Sequence, residues 1–190
     1  MILKNSKNNI FIIGPTGVGK STIGYNLSNK LNKKFFDSDK ELEKYFNMNI
    51  NNIFKKNGEK KFRFFEKKII NNILKEKNII LSTGGGSIEN KYIRNLLSNN
   101  GIVIYLMANI KTQLTRLNNF NDRPLLINKN KYEKENILKK LDNIRNELYN
   151  SISDIIIDTN KKNIDEIIDN ILNILNINNF IIKNHENNKC

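Results

Sequence analysis

The chain has 190 residues, 38% of them hydrophobic and 27% charged, with a formal net charge of +13. That length allows one domain with a sizeable core, expected over 1–176 and followed by a polar tail over 177–190. No apolar run reaches the roughly 18 residues that span a bilayer, and the lone Cys190 and lone His185 rule out an intrachain disulfide framework, a cysteine-based zinc site and a histidine base drawn from the body of the chain.

The first residues, MILKNSKNN, lack the layout of a signal peptide, so a cytoplasmic protein without membrane association is expected. Asparagine accounts for 38 residues and accompanies an excess of lysine and isoleucine, a joint bias that makes the positive charge a compositional background. The lysines fall in short scattered groups rather than one block, so no nucleic-acid partner is expected. The five arginines (Arg63, Arg94, Arg116, Arg123 and Arg145) stand out against 27 lysines. A planar guanidinium grips a carboxylate or phosphate with two parallel hydrogen bonds, and a lysine does not.

In chain order, Asn9–Ile13 (NIFII) reads as a buried strand ending at Gly14, and Lys20–Leu31 as a helix. Lys34–Phe36 is a short second strand. Asp39–Phe46 and Ile50–Lys56 are predicted helical, followed by a longer helix over Glu59–Lys75 with Phe62, Phe65, Ile69, Ile70 and Ile73 along one face. Strands over Asn78–Ser82 and Ile102–Met107 flank a helix over Asn90–Leu97. A helix over Ile110–Leu117 leads into a polar stretch, Asn121–Glu135, without clear periodicity. A helix over Asn136–Tyr149, a strand over Asp154–Ile157 and a helix over Ile164–Leu175 complete the pattern. Strands alternating with helices predict an α/β fold with a five-stranded, largely parallel sheet.

Residues 14–22 read GPTGVGKST, and Gly14, Gly19, Lys20 and Ser21 satisfy the Walker A pattern between a strand and a helix. Such a loop wraps phosphate oxygens with backbone N–H groups, and the helix behind it presents its positive end. Gly17, Val18, Gly19, Lys20, Ser21 and Thr22 are therefore the expected nucleotide-binding residues. Lys20 is expected to reach the β- and γ-phosphates, and Ser21 to bind magnesium. A dinucleotide fingerprint fails, because Thr22 stands where the third glycine belongs.

Asp37-Ser38-Asp39 ends the second strand. It reads either as a helix cap with acidic first-turn residues or as a pair of carboxylates with divided labour. Neither of the next two strands carries an aspartate, which makes Asp37 the best magnesium partner alongside Ser21. The triplet in Thr83–Ser87 (TGGGS) permits close backbone approach by a small polar ligand. Arg123, in Asp122–Leu126 (DRPLL), lies in a segment long enough to act as a lid, about 121–136.

Taken together, GPTGVGKST, FFDSDKELE, FRFFE, STGGGS, RPLL and IRNELY, in this order from Asn9 to Leu175, resemble the shikimate kinase family. The resemblance implies a three-layer P-loop kinase fold and transfer of the γ-phosphoryl of ATP to the 3-hydroxyl of shikimate, with Mg2+. It implies that Asp39 binds shikimate hydroxyls and acts as a base or orienter. Arg63 and Arg145 would pair with the carboxylate, and Gly85 would contact shikimate through its backbone. Arg123 would be the lid arginine on ATP, with Arg116 near the nucleotide; Lys20, Asp39 and Arg123 make up the implied catalytic set. Phe64 and Phe65 depart from the polar residues common at these positions. Another small-molecule kinase, for gluconate or a nucleoside monophosphate, is the alternative on the same fold. A GTPase is disfavoured, because Asn160–Asn163 ends in asparagine where a guanine-reading motif needs aspartate. A monomer is expected, since no amphipathic element is left over.

Overall fold

The structure is a computed structural model that describes residues 8–117 and 125–177. Five strands form one parallel sheet: β1 (Ile10–Ile13), β2 (Lys34–Asp37), β3 (Ile79–Ser82), β4 (Ile102–Met107) and β5 (Ile155–Asp158), in the order β2-β3-β1-β4-β5. The three inner strands are almost unbroken apolar runs, as strands covered on both faces must be. The edge strand β5 alternates buried and exposed residues.

Seven helices occur among the described residues: α1 (Lys20–Leu31), α2 (Ser38–Phe46), α3 (Ile50–Ile73), α4 (Lys91–Asn100), α5 (Ile110–Leu117), α6 (Lys131–Ile152) and α7 (Ile164–Ile177). The period-two geometry of β1 assigns the two faces. Ile10 and Ile12 pack with Ile23 and Leu27 of α1 and with Ile168 and Ile171 of α7. Phe11 and Ile13 pack on the opposite face with Ile70 of α3, Leu97 of α4 and Tyr149 of α6. This is the expected three-layer α/β architecture. A separate apolar cluster of Leu42, Ile50, Ile53 and Phe62 joins α2 to α3 beyond the sheet edge.

Three features depart most from the sequence expectations, while several other element ends shift by one to three residues. The helices expected over Ile50–Lys56 and Glu59–Lys75 run together as α3, but Gly58 breaks the helical path at φ 71° and ψ 167°. That backbone conformation favours glycine. Helix α6 starts at Lys131 rather than Asn136, inside the polar stretch. Asn130 and Glu133 form a reciprocal capping box there, a start signal independent of apolar periodicity. A turn of 3-10 helix over Ser87–Glu89 follows the glycine triplet and was not expected. Arg123 and the first four residues of the expected lid, 121–124, lie outside the described residues, as do His185, Cys190 and the tail from 178 onward.

The order β2-β3-β1-β4-β5 determines where a ligand can sit. From β1 the chain passes out to β2, returns to β3, and then crosses to β4 on the other side of β1. The crevice at the carboxyl end of β1 is the switch point at which open α/β sheets bind ligands.

Candidate active site

The loop after β1 is built from backbone conformations that side chains resist. Gly17 and Gly19 sit at φ 80° and φ 98°. A Cβ on Gly17 would lie 2.8 Å from Cγ of Leu117, so the loop packs directly on α5. Gly19 is the N-cap of α1 and supplies no side-chain cap, which leaves the first N–H groups of the helix directed into the loop. Lys20 is buried, and its Nζ donates to the carbonyls of Gly14 and Pro15, each at 2.8 Å, across the mouth of the loop. The Val18 side chain is fully buried, so Val18 offers this loop its backbone alone. Thr22 is exposed on the first turn of α1.

Asp37 ends β2, and its two oxygens do different things. Oδ1 accepts from the N–H groups of Asp39 (2.9 Å) and Lys40 (3.2 Å), capping α2. Oδ2 accepts from the Ser21 hydroxyl at 2.5 Å. Burial, and after it the Asp39 carboxylate, push the Asp37 carboxyl above the usual range despite these hydrogen bonds. The cap is made by Oδ1, and Oδ2, paired with Ser21, is the oxygen that the metal reading would use.

The donors fit magnesium. A serine hydroxyl and a buried carboxylate meet at the phosphate-binding loop, both are hard oxygen ligands, and burial outweighs the hydrogen bonds that the carboxylate accepts. Among the described residues no group of three or more His, Cys, Asp or Glu is placed to hold a metal. Magnesium suits such a two-donor site, because it keeps waters and substrate phosphates as its other ligands.

A cleft partly open to solvent adjoins this loop. It is lined by Thr16 of the loop, Asp39 of α2, Arg63 and Glu66 of α3, Gly84–Gly86, and Arg145 of α6. Leu125 and Leu126, just after the undescribed segment, border it on one side. The structure thus gathers Asp39, Arg63, Gly85 and Arg145, predicted from four separate stretches of sequence, into one cleft.

The glycine triplet is shaped by its neighbours. A Cβ on Gly84 would lie 2.7 Å from Asp39 Oδ1 and 2.9 Å from Glu66 Oε1, and one on Gly86 would collide with the Arg63 guanidinium. Gly85 faces the P-loop instead: its Cβ would lie 3.4 Å from the Gly14 carbonyl and from Thr16 Oγ1. The Gly84 N–H donates to Ser38 Oγ at 2.9 Å, and the Gly85 carbonyl accepts from the Tyr149 hydroxyl at 2.6 Å. The triplet is therefore fixed on both sides, by the Asp-Ser-Asp turn and by α6.

Two acids that carried no assigned role in the sequence hold the arginines. Glu66 is fully buried and accepts from Arg63 Nη1 at 2.9 Å and from Ser87 Oγ at 2.7 Å. Burial pushes the Glu66 carboxyl up, and the Arg63 charge opposes that shift without cancelling it. Burial alone would lower Arg63, but Glu66, Glu59 and Glu89 more than offset it and the net direction is up. Arg145, itself buried, donates from Nε to Glu89 Oε1 at 2.7 Å. Glu66 was within reach of sequence reasoning, because it stands one helical turn after Arg63. Glu89 was not: it lies beyond the glycine motif and meets Arg145 across 56 positions of sequence.

Arg116 stands apart from the cleft. Its guanidinium donates to the Val18 carbonyl (3.1 Å) and to the hydroxyl and carbonyl of Thr159 (3.0 and 2.8 Å). It ties the phosphate-binding loop to the end of β5, and burial lowers its pKa.

The shikimate kinase family profile matches residues 16–176. The shikimate kinases of Wigglesworthia glossinidia brevipalpis and Buchnera aphidicola subsp. Baizongia pistaciae are each 46% identical to the chain, over 169 and 170 residues. These alignments cover 89% and 90% of this chain and 96% and 97% of theirs. Shikimate kinase from Acinetobacter baumannii, solved in complex with shikimate, matches with a TM-score of 0.85 and 35% identity over 91% of this chain and 95% of that one. A gluconokinase from Sinorhizobium meliloti, with a TM-score of 0.59 and 14% identity over 93% and 97% of the two chains, shares the fold alone. On sequence and architecture together, this chain belongs to the shikimate kinase family.

Proposed function

We propose that the protein is a shikimate kinase, transferring the γ-phosphoryl group of ATP to the 3-hydroxyl of shikimate. The observation that carries this reading is the cleft itself. It places a carboxylate (Asp39) and two guanidinium groups (Arg63 and Arg145) beside Thr16 of the phosphate-binding loop. An acceptor that bears both a carboxylate and hydroxyls matches that set.

In this mechanism Arg63 and Arg145 hold the acceptor carboxylate, which fixes the opposite end of a small ring near the γ-phosphate. Holding the reactants in this way removes much of the entropic barrier. Asp39 accepts a hydrogen bond from the acceptor hydroxyl, and orients it or takes its proton as the bond to phosphorus forms. Gly17–Thr22 supply the backbone cradle, and Lys20 turns from the loop carbonyls toward the β- and γ-phosphates. Arg116 lies on the nucleotide side and Arg123 is assigned to the lid over ATP, where its charge would balance that of the moving phosphoryl group. Ser21 and Asp37 would hold magnesium, which neutralises phosphate charge when bound. The reaction belongs in the cytoplasm, where ATP is made available, and the chain works as a monomer of one domain over 1–176.

The test is ADP release from Mg-ATP with shikimate, with gluconate and nucleoside monophosphates as controls. Strong stimulation by shikimate alone is the expected outcome. Stimulation by a control compound, or slow hydrolysis throughout, overturns the acceptor assignment.

Asp37→Asn separates the cap from the metal. The amide oxygen preserves the cap of α2, while the buried charge disappears. Because the folded-state pKa of Asp37 is raised, ionisation costs the native state stability, and that cost sets in as pH rises above about 3.8 and through the raised value. At pH 7–8 the variant is expected to be as stable as the parent or more so, by up to about 1 kcal/mol. Its turnover should fall at least about tenfold, with a higher magnesium requirement. Thermal melts and a magnesium titration check this; a normal magnesium requirement would remove Asp37 from the metal site.

A further inference from the structure

We infer that Glu89 is a positioning residue for the acceptor carboxylate: it engages one edge of the Arg145 guanidinium and leaves the terminal fork directed to the ligand. The inference rests on the shikimate kinase reading and adds a residue to it.

A guanidinium offers a carboxylate two usable edges, the side edge formed by Nε and one terminal nitrogen, and the end fork formed by the two terminal nitrogens. Glu89 takes the side edge. Its Oε1 lies 2.7 Å from Nε and 2.7 Å from Nη2 of Arg145. An incoming carboxylate therefore meets Arg145 at the end fork, with the rotation of the side chain already restricted. The pair is also asymmetric in burial. The Arg145 side chain is 7% exposed, while that of Glu89 is 41% exposed. Arg145 is the group that needs a counter-charge, because a buried guanidinium left alone is costly.

Two further observations point the same way. The Glu89 charge also contributes to raising the pKa of Arg63, so the acid that pairs with Arg145 acts on the second arginine of the cleft. The 3-10 turn that carries Glu89 begins directly after the glycine triplet, and Tyr149, one helical turn after Arg145 on α6, donates to Gly85 in that triplet. Glu89 to Arg145 and Gly85 to Tyr149 are thus parallel ties between the same loop and the same helix. The first adjusts a side chain that meets the substrate, and the second anchors the backbone.

Glu89→Ala and Glu89→Gln test this on the full chain, with KM for shikimate, KM for ATP, kcat and thermal midpoint measured for each. In Glu89→Ala the shikimate KM is expected to rise about five- to tenfold, with the ATP KM and kcat within about twofold, the pattern of lost uniform binding. Glu89→Gln keeps an acceptor oxygen at the same reach and should recover part of the loss. An unchanged shikimate KM overturns the inference, and so do equal rises in both KM values. A shikimate KM that falls also overturns it, since Glu89 would then be competing with the substrate for Arg145. If the parent enzyme itself shows no shikimate-dependent turnover, the functional reading fails first; if it does and Glu89→Ala matches it, this inference alone fails.

Discussion

Asp39→Asn is expected to lower kcat by about 100- to 10,000-fold, the range that loss of a positioned general base commonly costs, while the fold survives. The substitution is nearly isosteric and touches one atom of a side chain that lines the cleft beside Gly84. What it removes is the negative charge that would receive or orient the acceptor proton. Neither of the other two carboxylates near it is placed to stand in. Glu66 is committed to Arg63 and Ser87, and Asp37 to Ser21 and the α2 cap. Stability should hold or improve slightly, because the Asp39 charge raises the pKa of both Asp37 and Glu66. Shikimate KM should change much less than kcat. A coupled ADP-release assay with a thermal melt decides the matter, and near-normal turnover would remove Asp39 from the chemistry.

Arg63→Ala carries the second large effect, and it has two parts. The first is binding: loss of a charge-assisted contact worth roughly 1.5–3 kcal/mol should raise the shikimate KM by about 10- to 100-fold. The ATP KM should stay within about threefold, and equal losses for both substrates would count against the assignment. The second part is stability. Removing Arg63 leaves Glu66 fully buried without its counter-charge, a change that costs several kcal/mol in other proteins. Glu66 already titrates above 4.5 because of burial, and without Arg63 its pKa rises further. The protonated form is then the stable one. Stability linked to that proton is present below about 4.5 and is lost as pH rises through the folded-state value. The variant should therefore lie closer to the parent in thermal melts near pH 5 than near pH 8. Adding Glu66→Gln should restore the melt at pH 8 without restoring shikimate affinity, which separates the two roles.

Much of this site was legible in the chain, for a physical reason. A loop that wraps phosphate needs glycines at fixed offsets, a lysine and a hydroxyl, with a strand before and a helix after. All of these are local requirements, and GPTGVGKST meets them within nine residues. The strands were legible because parallel strands covered on both faces must be apolar throughout, as IFII and IVIYLM are. The start of α6 was missed because a capping box, rather than apolar periodicity, begins that helix. The break at Gly58 was placed correctly as a boundary between two helices, since glycine there relieves a conformation that other residues resist.

The sequence by itself determined the α/β class and the phosphate-binding loop, because each depends on residue type and short-range spacing; the candidate ligands of the acceptor were what the family resemblance of its ordered motifs implied. The tertiary structure alone decided which charges meet. Ser21, in the helix after β1, and Asp37, at the end of β2, converge although β3 lies between those two strands, Glu66 neutralises Arg63 in the interior, and Glu89 reaches Arg145 from the far side of the glycine loop. Coulomb energy falls with distance and rises with burial. Neither quantity can be read from positions in a chain until strand order and helix packing have set them.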